Sequence, residues 1–271
     1  MPESAKRPSR RTAPSLYLAA ALLLFSRACL AAGPSCTGED GELLAAPIAE
    51  DFRTVAAQER RFVPAGIAPP SLLDPEAQDL DDMALEAISA FLARAEIRLT
   101  LLSEKADRYG RRPALFFAQG RLLQEELLER GLAVALPVDL GGRQESCARL
   151  FLAAEDRARR AARGLWARPQ IVLNAHAPDA LSSQYGRYVV VAGTIISVGN
   201  RPTRTYLDFG RIWSRDFTAE IAAERRDAFG GEAGIERLAG RKVRLRGFLA
   251  ERSGPMLELA APWQLEIVPG D

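Results

Sequence analysis

The stretch from Asp107 to Trp166 constrains the fold most, because its local signals come in a fixed order. Asp107-Arg108-Tyr109-Gly110-Arg111 turns the chain at Tyr109-Gly110, and the strand-like Pro113-Ala114-Leu115-Phe116-Phe117-Ala118 follows. Ahead of the turn, Ile97, Leu99 and Leu101 alternate with Glu96, Arg98 and Thr100, so a half-buried strand precedes it and the two form a hairpin. Gly120 turns the chain again, and Arg121 to Arg130 sets Leu123, Leu127 and Leu128 on one helical face that stops at Gly131. A last helix, about Cys147 to Arg163, turns Leu150, Phe151, Ala154, Ala158 and Ala161 inward and Arg149, Arg157, Arg160 and Arg163 outward before Gly164. Glu145, Glu155 and Asp156 interleave with those arginines, which marks a solvated, partly paired face rather than a phosphate surface.

A chain of 271 residues has room for two modest domains. Its first 32 residues have the form of a bacterial-type secretory signal: Lys6, Arg7, Arg10 and Arg11 precede the apolar run Leu16 to Phe25, and Ala28, Ala31 and Ala32 offer a cleavage site. That run is too short to span a bilayer, so the expected product is exported and soluble, periplasmic or secreted. Cleavage after residue 31 removes five of the 36 basic and one of the 35 acidic residues, leaving a net charge of −3. A sequence-indifferent nucleic-acid coat needs clustered Lys and Arg, so any nucleic-acid contact here has to be local. Cys36 and Cys147 remain, in a compartment that permits a disulfide; their spacing fits a bond or two unrelated thiols equally.

The order of D-R-Y-G-R, strand, helix ending in Gly131-Leu132-Ala133, then Glu155-x-x-Ala158-Arg159 and a closing Gly164-Leu165-Trp166 resembles the C-terminal half of the staphylococcal nuclease (thermonuclease) family. The resemblance implies a five-stranded oligonucleotide/oligosaccharide-binding (OB) barrel with added helices. It also implies calcium held by aspartates, a glutamate that activates water, and two arginines that stabilise the phosphate as charge develops. Residue by residue, Arg111 matches the second arginine. Around Gly66-Ile67, however, Val63 stands at the first arginine, Ala68 at a metal aspartate and Ser71 at the glutamate. Asp51 is the nearest candidate for the earlier metal aspartate, and in a shifted register Asp74-Pro75-Glu76 stands in for the missing turn. One lost donor of this kind commonly costs about a hundred- to a thousandfold in rate, so losing ligand, base and arginine together leaves essentially no hydrolysis.

Elsewhere in this first part, residues 33 to 49 read as a small, polar lead-in, and Asp79 to Ala93 is an amphipathic helix with Asp79, Asp81 and Asp82 at its start. The acidic cluster Asp74 to Asp82 lacks the glycine and alternation of a calcium loop. Arg168 to Ser183, with Pro169, Asn174 and Pro178 and no periodicity, is the expected linker. Beyond it come five strand-like runs, Tyr188–Val198, Thr205–Phe209, Phe217–Ala222, Lys242–Leu249 and Met256–Val268, with a short helix between Asp227 and Leu238. Five strands with a helix between the third and fourth is the OB order. The expected fold is therefore β-rich α+β, two tandem OB-like barrels, divided as signal 1–32, nuclease-like domain 40–167, linker 168–184 and second barrel 185–269.

In the second barrel, Lys242, Arg244 and Arg246 alternate with Val243 and Leu245 on one strand face, and Tyr206, Phe209, Trp213 and Phe217 lie near Arg204, Arg211 and Arg215. This composition suits single-stranded nucleic acid, though a small barrel also needs aromatics for its own core. His176 is the only histidine and falls in the linker, so a Ser-His-Asp triad or multi-histidine metal site is excluded. The expected function is a catalytically degenerate binding module for single-stranded nucleic acid or an envelope protein, without a cofactor. The alternatives are an active calcium-dependent phosphodiester hydrolase and a structural envelope protein with no nucleic-acid role.

Overall fold

Short alternating runs between tight turns build the first lobe. The structure, a computed structural model, describes residues 35–36, 41–212 and 214–268. The expected signal, residues 1–32, part of the lead-in and Trp213 lie outside the described residues. Two-residue β1 (Glu42–Leu43) precedes the meander β2 (Ile48–Asp51), β3 (Thr54–Ala57) and β4 (Arg60–Pro64), whose neighbours pair antiparallel and bury Val55 and Phe62 completely. The lead-in is thus partly strand. Gly41 makes this possible, because a Cβ there would stand 2.3 Å from the Leu99 carbonyl oxygen.

β5 (Ile67–Ala68) follows β4, and α1 (Gln78–Leu92) then buries Leu80, Ala84, Ile88 and Phe91. Asp79 and Asp81 in its first turn favour the positive helix end. β6 (Arg98–Leu101) and β7 (Arg111–Ala118) form the hairpin that the sequence announces, and β7 lies parallel to β4. β8 (Arg121–Leu122) leads into α2 (Leu123–Glu129), β9 (Val134–Ala135) pairs with β5, and α3 (Gln144–Arg160) closes the lobe. Gly131 ends α2 at positive φ, whereas α3 stops at Arg160, ahead of the expected Gly164, with Ala162 in the left-handed region after it; Gly164 opens the next short turn and touches Gly131, where a Cβ would lie 2.1 Å from the Arg163 carbonyl oxygen. Cys36 and Cys147 form a disulfide, with Cα atoms 4.9 Å apart, that ties the lead-in to α3.

Residues 168–184 differ from the expected linker. β10 (Val172–Asn174) lies parallel to β11 (Tyr188–Thr194), and α4 (Pro178–Ser182) buries Leu181. Pro178 opens this helix, where its missing N–H costs nothing. His176 is tied in as well: its Nδ1 bonds the Phe209 carbonyl at 2.8 Å and its Nε2 accepts the Thr194 N–H at 3.2 Å. β12 (Ser197–Asn200), β13 (Arg204–Asp208) and β14 (Thr218–Ala222) form an antiparallel meander, followed by α5 (Gly231–Glu236), the long β15 (Lys242–Glu251), β16 (Pro255–Glu258) and β17 (Leu265–Ile267). The strand path β10-β11-β15-β16-β14-β13-β12 places β11 and β12, neighbours in sequence, far apart along one curled sheet. β14 runs parallel to β16 as β4 does to β7, so both lobes repeat one connection: three antiparallel strands, a helix, then a hairpin whose second strand pairs with the third. The molecule is a β-rich α+β protein, and among the described residues no helix is long and apolar enough to cross a membrane.

Each lobe has its own apolar core, one around Phe62, Phe116 and Phe151, the other around Phe217, Ile221 and Leu245. Both cores nevertheless belong to one compact unit. Ala158, Trp166 and Val190 pack between them, and beside this contact Arg246 of β15 is wholly buried. Its guanidinium donates to Glu155 of α3 at 2.7 Å, to the Ala135 carbonyl at 3.2 Å and to Glu266. Burial alone would push the Arg246 guanidinium down; Glu155 and Glu266 outweigh it and hold it above its ordinary value.

Candidate functional site

The D-R-Y-G-R turn folds back on its own arginine. Asp107 accepts the N–H groups of Tyr109 at 2.8 Å and Arg111 at 3.0 Å, which makes the turn, and its second oxygen accepts Nε and Nη2 of Arg111 at 2.9 and 2.8 Å. Burial pushes the Asp107 carboxyl up, but these hydrogen bonds outweigh it and hold it below the usual carboxylate value. The Tyr109 ring covers the same guanidinium at 4.8 Å, a cation–π contact. Because β4 and β7 are parallel and in register, with Arg61 opposite Arg111, the β2–β3 turn also reaches this end of the sheet. Nη1 of Arg111 lies 3.5 Å from the Arg53 carbonyl and from Thr54 Oγ1, and Thr54 donates to Asp51 at 3.1 Å. Arg111 and Asp51 are therefore brought together through Thr54.

The other matched positions carry no functional charge. Val63 sits in β4 opposite Pro113 of β7. Ala68 is fully buried in β5, opposite Val134 of β9, and its methyl offers no donor to a metal. The Ser71 N–H donates to Asp81 at 3.0 Å, so α1 and the preceding turn are stitched by a backbone contact. Asp74 accepts the Glu76 N–H at 3.1 Å and pairs with Arg168 at 3.1 Å, while Asp79 takes the other end of the same guanidinium. The shifted pair Asp74 and Glu76 thus serves the start of α1 and the connection to the second lobe. Calcium takes about six to eight oxygen ligands. Among the described residues no three His, Cys, Asp or Glu side chains converge, so the donors at the Arg111 end do not fit that ion.

Several second-lobe candidates are placed differently from the sequence expectation. Phe209 is buried and packs on Phe217 with ring centroids 5.0 Å apart, so it belongs to the core. Lys242, Arg244 and Arg246 do share a strand face, but that face is covered by the first lobe. Arg246 is enclosed as described, Arg244 pairs with Asp156 at 3.5 Å and Glu266 at 3.3 Å, and Lys242 alone is exposed. The alternation was legible; its covering came from α3, which no local pattern reveals.

Tyr206 is half-buried and lines a groove. Arg204, Tyr206 and Asp208 of β13 share a face with Thr218 and Glu220 of β14, and this face lines a groove of about 830 Å3. Glu220, almost fully buried at 3 % exposure, accepts from both Arg204 and Arg252, the latter at 2.9 Å, and so fixes two half-exposed guanidinium groups at the wall. Arg201 and Arg211 also line it, with no side-chain partner among the described residues. Glu220, Arg201 and Arg252 were not singled out from sequence; a lone glutamate between the core residues Ala219 and Ile221 was the available signal.

A search of curated proteins finds no match to this chain. Residues 64–168 match the family model described as staphylococcal nuclease homologue, a span that includes Ala68, Ser71 and Arg111 and stops at the connection to the second lobe. In residues 64–168, then, the chain carries a domain of the staphylococcal nuclease family.

Proposed function

We propose that this protein keeps the nuclease fold, has lost the hydrolytic chemistry, and works after export as a binding module for single-stranded nucleic acid. The burial of Ala68 carries the first half of this reading: at the position where the family resemblance calls for a metal-holding aspartate, a methyl group is sealed between two short strands. Arg111 is the remaining matched group, and its guanidinium is occupied by Asp107. An arginine without a metal ligand and a base beside it can hold an anion but cannot activate water.

The binding half is supported by the second lobe, which we read as an OB-like barrel in tandem with the first. Its groove combines a half-exposed tyrosine, two arginines oriented by a buried glutamate and two arginines without a side-chain partner among the described residues. Such a surface suits stacked bases and a phosphodiester backbone, and a cofactor has no part in it. With a mature net charge of −3, any nucleic-acid contact has to be local, and this face offers one such place.

Fluorescence anisotropy with a labelled oligothymidylate at low and moderate salt tests the reading. Wild-type binding that weakens with salt, and that Tyr206→Ala reduces by about tenfold, is the expected outcome for loss of one stacking platform. Absence of binding at low salt, or binding indifferent to Tyr206→Ala and Arg204→Ala, would refute it.

A further inference from the structure

The two lobes also meet along a second cleft, of about 400 Å3, that shares no residue with the Tyr206 groove. Arg159 of α3, Arg168 of the connection, and Lys242 and Arg244 of β15 contribute four cations to its wall, and among the described residues no carboxylate lines it. The carboxylates lie behind and are shared: Asp156 serves Arg159, Arg160 and Arg244, Glu266 serves Arg244 and Arg246, and Asp74 and Asp79 hold Arg168. Lys242 has no ion-pair partner among the described residues. Burial is the main cause that holds the Arg244 guanidinium below its ordinary value, with Glu266 and Asp156 opposing it and the like charges of Arg159 and Arg246 adding to it.

A second, independent observation points the same way. The indole Nε1–H of Trp166, a residue 92 % buried, and the Nε–H of Arg159 are both buried donors without an acceptor among the described residues. Both residues belong to the wall of this cleft. Buried donors almost always find acceptors, and two orphaned donors on residues that also wall this cationic cleft point to an oxygen-rich anion near them. Ile171, Val172 and Val268 make the rest of the wall apolar, which suits a phosphate carried on an organic body better than a bare ion.

We propose that this inter-lobe cleft is an anion site for a phosphomonoester, its phosphate held by Lys242, Arg244 and Arg159 with the Trp166 indole donor beside them, and its organic part laid against Ile171 and Val268. The site is separate from the proposed nucleic-acid groove and stands whether or not that groove binds a strand. Its phosphate could belong to a small phosphorylated metabolite or to the end of a nucleic-acid strand, and the test separates the two.

The chain has three tryptophans, so its indole N–H signals in a 15N-labelled sample are few, and Trp166→Phe assigns the relevant one. The mature protein is titrated at pH 8, where a phosphomonoester is fully ionised, with glycerol phosphate, and separately with sodium chloride at matched ionic strength. The expected result is a saturable shift of the Trp166 indole proton with glycerol phosphate and none with chloride. The exposed Lys242→Glu should weaken that binding by about tenfold or more while leaving the other two indole signals in place, a sign of intact folding. A third arm competes glycerol phosphate with paired dinucleotides, one 5′-phosphorylated and one not. Competition by the phosphorylated dinucleotide alone supports the site with a strand end as a source, and competition by neither supports it with small phosphoesters. No shift beyond that of chloride, or a shift that Lys242→Glu leaves unchanged, would overturn the proposal.

Discussion

Arginine is used here in two opposite ways, and surrounding carboxylates decide which. Arg111 is clasped at the protein edge by the carboxylate four residues before it, whereas Arg246 is enclosed by Glu155 and Glu266 and by the Ala135 carbonyl. Removing one partner of a buried pair strands the other, so Arg246→Met should destabilise the protein by about 3–5 kcal/mol. Glu155→Gln combined with Arg246→Met should cost less than the sum of the single changes, which urea denaturation of the four proteins would check. Arg111 could be read from the sequence because its partner lies within one short motif. Arg246 could not, because Glu155 is 91 residues away and an alternating K-V-R-L-R reads the same whether its face is open or covered.

At the scale of elements, α1 and α2 are joined by a two-pronged pair: Arg94, just past the end of α1, reaches both carboxylate oxygens of Glu126 at 2.9 and 2.8 Å. The Arg94 hydrogen bond holds Glu126 below its ordinary value, against the pull of burial. A depressed carboxyl stabilises the fold above its unfolded value, near 4.3, and loses that contribution as pH falls through the lower folded value. Glu126→Gln should therefore cost about 1 kcal/mol at pH 7 and little near pH 3, measured by chemical denaturation at both. The disulfide from the lead-in to α3 closes a loop with a sequence separation of 111 residues, so Cys36→Ser should lower stability by about 4 kcal/mol under oxidising conditions and remove the effect of added reductant. The helix α2 with its glycine stop and the β6–β7 hairpin were legible, since period and terminator are both local, while α3 ends at Arg160, ahead of the glycine expected to stop it. β10 was not: three residues have no period, and their place in the sheet is given by β11.

Across the whole molecule, the seam through Arg246, Trp166 and Val190 makes two cores behave as one body. The two-domain reading of the sequence leads to a cut in 168–184 that frees two folded pieces. With β10 in a sheet and Leu181 buried, that segment should instead resist trypsin, and thermal unfolding should be a single transition seen alike by circular dichroism and tryptophan fluorescence. Two separated transitions would show independent lobes. The same body also carries the consequence for chemistry, because β5, with Ala68, is paired to β9, whose Ala135 is gripped on its N–H by Glu155 and on its carbonyl by Arg246. The position that would present a metal ligand is thus part of the structural seam. Calcium-dependent cleavage of single-stranded DNA by the purified mature protein, with Arg111→Ala and a chelated sample alongside, tests the proposed loss of chemistry most directly. Nucleotide release should be the same with calcium, with chelator and in Arg111→Ala; calcium-stimulated release that Arg111→Ala abolishes would contradict a silent site.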